Sequence, residues 1–257
     1  MLGTYLKLKG GSAMLLIDFG VITFGTAACY LVVDKFNIGQ GLINIFSIAK
    51  NKKLLDQYTL LIGYSGNLLK KQIVISMKIT PHLLVCGLSG SGKSKMVETA
   101  ISDKKNIVLL NAFEDDFTSI KGRRINGNEN ILNYLKSLVE EPYKRIEPLY
   151  IVIDELLVLC MDKKVNKAIA DLLAIGRHYN IFVIGISQRG EKTELPYKNL
   201  FNARVCFRQV EESSYRAILG FSPEDKKIKH REFYVYSDEI SKGKTYDLKL
   251  KSNLKNL

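Results

Sequence analysis

The sequence predicts an α/β fold whose sheet is mostly parallel and covered on both faces. Short apolar runs alternate with helical patterns between about residues 82 and 186, the order expected of strands joined by crossover helices. One of those runs leads straight into a glycine-rich turn, and another ends on paired carboxylates. Together these give the predicted sheet a chemical edge.

Taken in order, Tyr58 to Ile62 and Gln72 to Ser76 read as two strands flanking a turn at Ser65-Gly66-Asn67. His82 to Cys86 is a short apolar run of the kind that fills a buried parallel strand. A helix is expected from about 93 to 102, a strand over 106–110, a helix over 131–140 and a strand over 149–153. A longer helical pattern covers 166–177, and the strand 181–186 follows it. Ahead of this core, residues 14–33 are apolar over about the length that spans a bilayer as a helix, with Asp18 as the single charge. The expected division is therefore an N-terminal segment over 1–50 carrying a membrane anchor at 14–33, an α/β domain over 51–237, and a basic tail over 238–257. If that anchor crosses once, the domain behind it stands at the cytoplasmic face of the cell membrane; if it does not cross, the chain is cytoplasmic.

The chain carries 38 Lys and Arg against 26 Asp and Glu, a formal charge of +12. A surplus that large favours polyanionic partners, either nucleic acid or an anionic membrane surface, and a solvated basic face accounts for it equally well. Cys29, Cys86, Cys160 and Cys206 form no C-x-x-C pair, so neither a zinc site nor a disulfide framework is expected. His82, His178 and His230 have no metal-ligand spacing and read as structural.

Residues 87–94, namely Gly87, Leu88, Ser89, Gly90, Ser91, Gly92, Lys93 and Ser94, match G-x-x-x-x-G-K-[ST] at every defined position. The match sits after a strand and at a helix start, where backbone N–H groups and the helix N-terminus can cradle phosphate oxygens. ATP is the expected ligand, with Lys95 closing the cradle. Lys93 is placed to reach the β- and γ-phosphates, and the Ser94 hydroxyl to ligate Mg²⁺. Asp154 and Glu155 end the apolar strand 149–153, at the edge of a parallel sheet where ligands gather. Asp154 is expected to hold the Mg²⁺ and Glu155 to polarise the attacking water. Gln188, just past the strand 181–186, is placed to sense the γ-phosphate or to position that water.

Several further segments resemble the FtsK/SpoIIIE family of DNA translocases, within the wider group of HerA and the conjugative coupling proteins. Thr80-Pro81-His82-Leu83-Leu84-Val85 resembles that family's entry into the phosphate loop, and Gly176-Arg177-His178-Tyr179-Asn180-Ile181 its G-R-A-x-G-I-H segment. Gln188-Arg189, Lys198-Asn199, Arg204 to Phe207 and Ser214 to Leu219 follow in the family's order. The likeness covers residues 62–219. It implies a RecA-like core assembled as a hexameric ring around double-stranded DNA, with single strands left open. It also implies ATP sites between subunits and Arg177 reaching a neighbour's γ-phosphate. Arg189, Lys198 and Arg216 map near the family's pore loops. Gly190 replaces a proline, the loop from Arg189 to Lys198 is shorter, and Glu211-Glu212 stands where a basic pore position is expected. With no orienting winged-helix module behind it, the chain reads as a minimal DNA motor of a mobile element or virus. A genome-packaging or extrusion ATPase and a protein-secretion ATPase stay open as alternatives.

Overall fold

The computed structural model describes residues 4–6, 15–17, 56–66, 70–188, 197–223 and 228–246, in two units, 1–50 and 51–257. In the first, β1 (Thr4–Leu6) pairs antiparallel with β2 (Leu15–Ile17). A membrane helix starting at Met14 is incompatible with that pairing. Leu-Leu-Ile suits a strand as well as a helix, since an apolar run alone does not separate the two. The rest of the expected anchor, 18–33, lies outside the described residues. No helix among the described residues is long and apolar enough to cross a membrane.

The second unit is built on one sheet. Its strands are β3 (Thr59–Ser65), β4 (Lys71–Ser76), β5 (Leu83–Cys86), β6 (Asn106–Leu110), β7 (Arg123–Ile125), β8 (Leu149–Ile153), β9 (Ile181–Ser187), β10 (Ala203–Phe207), β11 (Glu232–Tyr236) and β12 (Ile240–Lys244). They lie in the order β4-β3-β12-β11-β10-β5-β9-β8-β6-β7. From β10 to β7 every pairing is parallel; from β10 through β11, β12 and β3 to β4 every pairing is antiparallel. The sheet thus continues into β12, within the stretch read from sequence as a basic tail.

The central strands β5, β8 and β9 are buried along their whole length, so their side chains serve two cores by simple alternation. Leu84, Cys86, Ile151 and Ile153 face a core closed by α2 (Asn128–Glu140), α3 (Leu156–Cys160), α4 (Lys163–Ile175) and α5 (Glu212–Leu219). Leu83, Val85, Tyr150 and Val152 face the other core, with Met96 and Val97 of α1 (Lys93–Ile101) and Leu60, Ile62 and Ile75 of β3 and β4.

Local chemistry sets the element ends that matter for the site. The Asp162 carboxylate accepts from the Lys164 and Val165 N–H groups at 2.8 and 3.2 Å and starts α4. A side chain at Gly176 would come within 2.8 Å of the Ile181 carbonyl and 3.3 Å of the His82 ring. The chain passes this crowded point and tightens into a 3₁₀ turn, Gly176–Tyr179, which Asn180 ends with φ 57°. The helix expected over 166–177 therefore begins three residues earlier, stops at Ile175 and leaves Arg177 on the turn. At the far end of α5, the Lys198 ammonium donates to the Ala217 carbonyl and Arg204 Nη1 to the Ile218 carbonyl at 3.2 Å. Two cations thereby cap carbonyls of the last turn.

Candidate nucleotide site

The phosphate loop joins β5 to α1 and is strapped to three neighbours through backbone bonds. Gly87 N–H donates to the Ser187 carbonyl at the end of β9 (3.2 Å), and Leu88 N–H to the Arg208 carbonyl after β10 (3.1 Å). Arg231 N–H, just before β11, donates to the Ser91 carbonyl at 3.2 Å. Gly92 has φ 111°, a left-handed conformation that a side chain disfavours. Ser89 and Gly90 form the exposed crest, whereas Ser91 is buried. The loop is held rigidly below and open above.

Lys93 is buried, and its ammonium donates to the Gly87 and Leu88 carbonyls at 2.7 and 3.0 Å, inside the curl of the loop. Burial lowers its pKa, and the nearby Glu155 and Asp154 carboxylates oppose that shift. Ser94 follows at the first turn of α1, half-buried. The Lys95 ammonium pairs with Glu98 at 2.8 Å.

Asp154 and Glu155 lie just past β8. Asp154 N–H donates to the Leu110 carbonyl at 3.0 Å, and the Asn111 amide holds the Asp154 carbonyl at 3.1 Å. Burial, with Asp116 and Glu155 nearby, pushes the Asp154 carboxyl up to about 6. Glu155 takes a left-handed backbone, φ 51°, uncommon for a side chain of this size. Its carboxylate accepts from the Gln188 amide at 3.1 Å and lies 3.4 Å from the Gln188 N–H. The structure thus brings Lys93, Ser94, Asp154, Glu155 and Gln188 to one edge of the sheet.

Hard oxygen donors gather here, Ser94 with Asp154, and crowding of carboxylates is what a divalent cation relieves. The donor set fits magnesium. Among the described residues no group of three His, Cys, Asp or Glu could hold a metal without other ligands. Nucleotide oxygens and water would complete the coordination, as magnesium usually requires.

Arg177 is not at this edge. It is exposed on the 3₁₀ turn before β9, at the opposite end of that strand from Gln188. A seven-residue strand separates them by roughly 20 Å at about 3.3 Å per residue. Arg216 is exposed and paired with Glu212 at 2.9 Å, one residue from the carbonyl that receives Lys198. Arg189 lies outside the described residues. Two residues beside the site escaped sequence reasoning. Asp116, whose charge acts on Asp154, lies on the irregular segment after β6 with its N–H on the Phe113 carbonyl, and Arg231 touches the loop through its backbone, so neither belongs to a readable motif.

No family model and no curated protein matches the chain by sequence. Solved structures do match it in three dimensions. The conjugation coupling protein TcpA of pCW3, determined with ATPγS, is 17% identical with a TM-score of 0.63, over 78% of this chain and 71% of that one. The cytoplasmic domain of the type VII secretion ATPase EccC of Thermomonospora curvata is 17% identical with a TM-score of 0.59, over 74% of this chain and 28% of that one. ATPases 2 and 3 of EssC from Geobacillus thermodenitrificans are 12% identical with a TM-score of 0.58, over 77% and 47%. The chain spans less than half the length of either secretion ATPase. These likenesses, with the loop seated between β5 and α1, show that the chain shares the fold of these ATPases.

Proposed function

We propose that the chain is an ATP-driven DNA translocase that works as a ring, hexameric by the resemblance, with each ATP site completed by a neighbour. One observation carries the reading. The loop, the two carboxylates and Gln188 stand at one edge of the sheet, and Arg177 stands at the other, out of reach of its own site. An arginine so placed cannot reach its own terminal phosphate and is available to a second copy, and an arginine supplied to a transferring phosphoryl group stabilises its developing charge.

In this reading the loop N–H groups and Lys93 bind the phosphates and orient the terminal one. Ser94 and Asp154 hold magnesium, whose chemistry when bound is charge neutralisation at the phosphate oxygens. Glu155 takes the proton of the attacking water, and Gln188 fixes the direction of the Glu155 carboxylate. The +12 charge supports a polyanion as the cargo, because phosphate contacts give affinity without sequence information. Arg189, Lys198 and Arg216 are the proposed DNA contacts. Lys198 also caps α5, so its replacement affects the fold as well as binding.

Movement along DNA is read as ATP-dependent displacement of a third strand annealed to a duplex. The parent should displace it, and Glu155→Gln should not. Vigorous ATP hydrolysis with no displacement would move the assignment to a protein cargo. Attachment to a membrane through residues 1–50 is a separate part of the proposal, and recovery of the full chain wholly in the soluble fraction would remove it.

A further inference from the structure

The phosphate loop has two flanks. On the β9–β8 flank stand Gln188, Glu155 and Asp154, which fixes where the terminal phosphate lies. The nucleoside end of the same molecule must then leave over the other flank, above β10, β11 and β12.

That flank is built around Arg231. Its N–H donates to the Ser91 carbonyl of the loop at 3.2 Å, and its carbonyl accepts from Thr245 N–H, just past β12, at 3.0 Å. These two bonds hold it at φ 65°, a conformation rare for a residue with a long side chain. Its side chain runs along Gly92, whose missing Cβ would lie 3.3 Å from the Arg231 Cγ. Next to it stand Tyr64, at the end of β3, and Tyr246, their ring centroids 5.1 Å apart and tilted by 49°. Both rings are half-buried, and Lys70 Nζ lies 4.6 Å from the Tyr64 centroid. The Arg231 charge is close enough to Tyr64 to oppose the rise that burial imposes on its phenol. A strained arginine and an aromatic pair therefore meet beside the last glycine of the loop, on the side away from the carboxylates.

Resting on the reading that this loop binds ATP, we propose that Arg231, with the Tyr64–Tyr246 pair, forms the nucleoside subsite and selects a purine base. A guanidinium is planar and weakly hydrated, and packs flat on an aromatic ring. The larger π-face of a purine covers more of it than a pyrimidine does. The tyrosines close the wall behind the base and keep water from the guanidinium.

The test uses the full chain and three probes: ATP, UTP and inorganic tripolyphosphate, the last having no base to stack. Equilibrium affinities are measured for the parent, Arg231→Ala, Arg231→Lys and Tyr246→Leu. The parent should prefer ATP to UTP by about tenfold, the scale of one stacked base. Arg231→Ala and Tyr246→Leu should bring that ratio to about 1 and leave tripolyphosphate affinity within about twofold. Arg231→Lys, which keeps the charge and loses the plane, should also lose the preference; it serves if the alanine variant does not fold. A parent with no base preference overturns the proposal. So does a variant in which tripolyphosphate weakens as much as ATP, because Arg231 then holds the loop or the phosphates. A parent that binds neither ATP nor tripolyphosphate overturns the ATP reading itself.

Discussion

Lys93 and Glu155 follow β5 and β8, the strands on either side of β9, yet their losses should look different. Lys93→Ala removes the cation whose ammonium the Gly87 and Leu88 carbonyls hold, so nucleotide binding and turnover should both fall, turnover by at least about 100-fold. Glu155→Gln keeps the length and a hydrogen bond to Gln188 but cannot take a proton. It should bind ATP with an affinity close to the parent's and turn it over at least about 100 times more slowly. Filter binding and phosphate release separate the two, and failure of Glu155→Gln to bind ATP would make Glu155 a structural residue.

Two other side chains predict opposite pH behaviour. His82 is buried, accepts from Val183 N–H at 3.0 Å through Nδ1, and is lowered by burial to about 4. Its folded pKa lies below the unfolded value, so the stability it contributes is present above about 6.5 and is lost as pH falls through 4, on the order of 3 kcal/mol. Asp154, raised to about 6, destabilises the fold when ionised, and that penalty is relieved as pH falls from 6 towards 4. Melting temperatures in the absence of metal should therefore diverge. Asp154→Asn should melt above the parent at pH 7.5, and His82→Gln should lose less stability than the parent between pH 6.5 and 4. An unchanged acid profile for His82→Gln would contradict the burial account.

Among the elements, the central parallel strands β5, β6, β8 and β9 were legible because a strand covered on both faces is a continuous apolar run, whereas the short, partly exposed edge strand β7 was not. Leu149 to Ile153 and Asn106 to Leu110 match their predicted bounds, and β5 begins one residue inside its own. The antiparallel half was less so. Strand β12 reads Ile-Ser-Lys-Gly-Lys, indistinguishable from a polar tail. It is a strand because β11 offers it a full ladder from Glu232 to Tyr236. Helix α5 was seen only as part of a family likeness, and the 3₁₀ turn was absorbed into α4, since crowding at Gly176 depends on β9 and His82 rather than on local sequence. That turn carries the most consequential element-level prediction. Arg177→Ala should bind ATP like the parent and lose most hydrolysis. Mixed with Glu155→Gln, itself inactive, it should recover a fraction of the parent rate wherever an intact Glu155 meets an intact Arg177. Additive inactivity across all mixing ratios would place Arg177 outside the reaction.

At the scale of the whole molecule, the phosphate edge, the carboxylate pair and Gln188 were legible because each lies within or beside a short local motif. Arg231 was not, because its place is set by two backbone bonds to residues distant in sequence, Ser91 and Thr245. The excess of 38 basic over 26 acidic residues bears on the cargo and not on the fold. A motor that grips phosphates should bind DNA with an affinity that falls steeply with salt, and should couple that grip to turnover. The most direct measurement is the steady-state ATP hydrolysis rate of the full chain with and without duplex DNA, between about 50 and 200 mM salt. The account predicts several-fold stimulation that fades across that range and disappears in Glu155→Gln. Hydrolysis that is robust but indifferent to DNA at every salt concentration would contradict it.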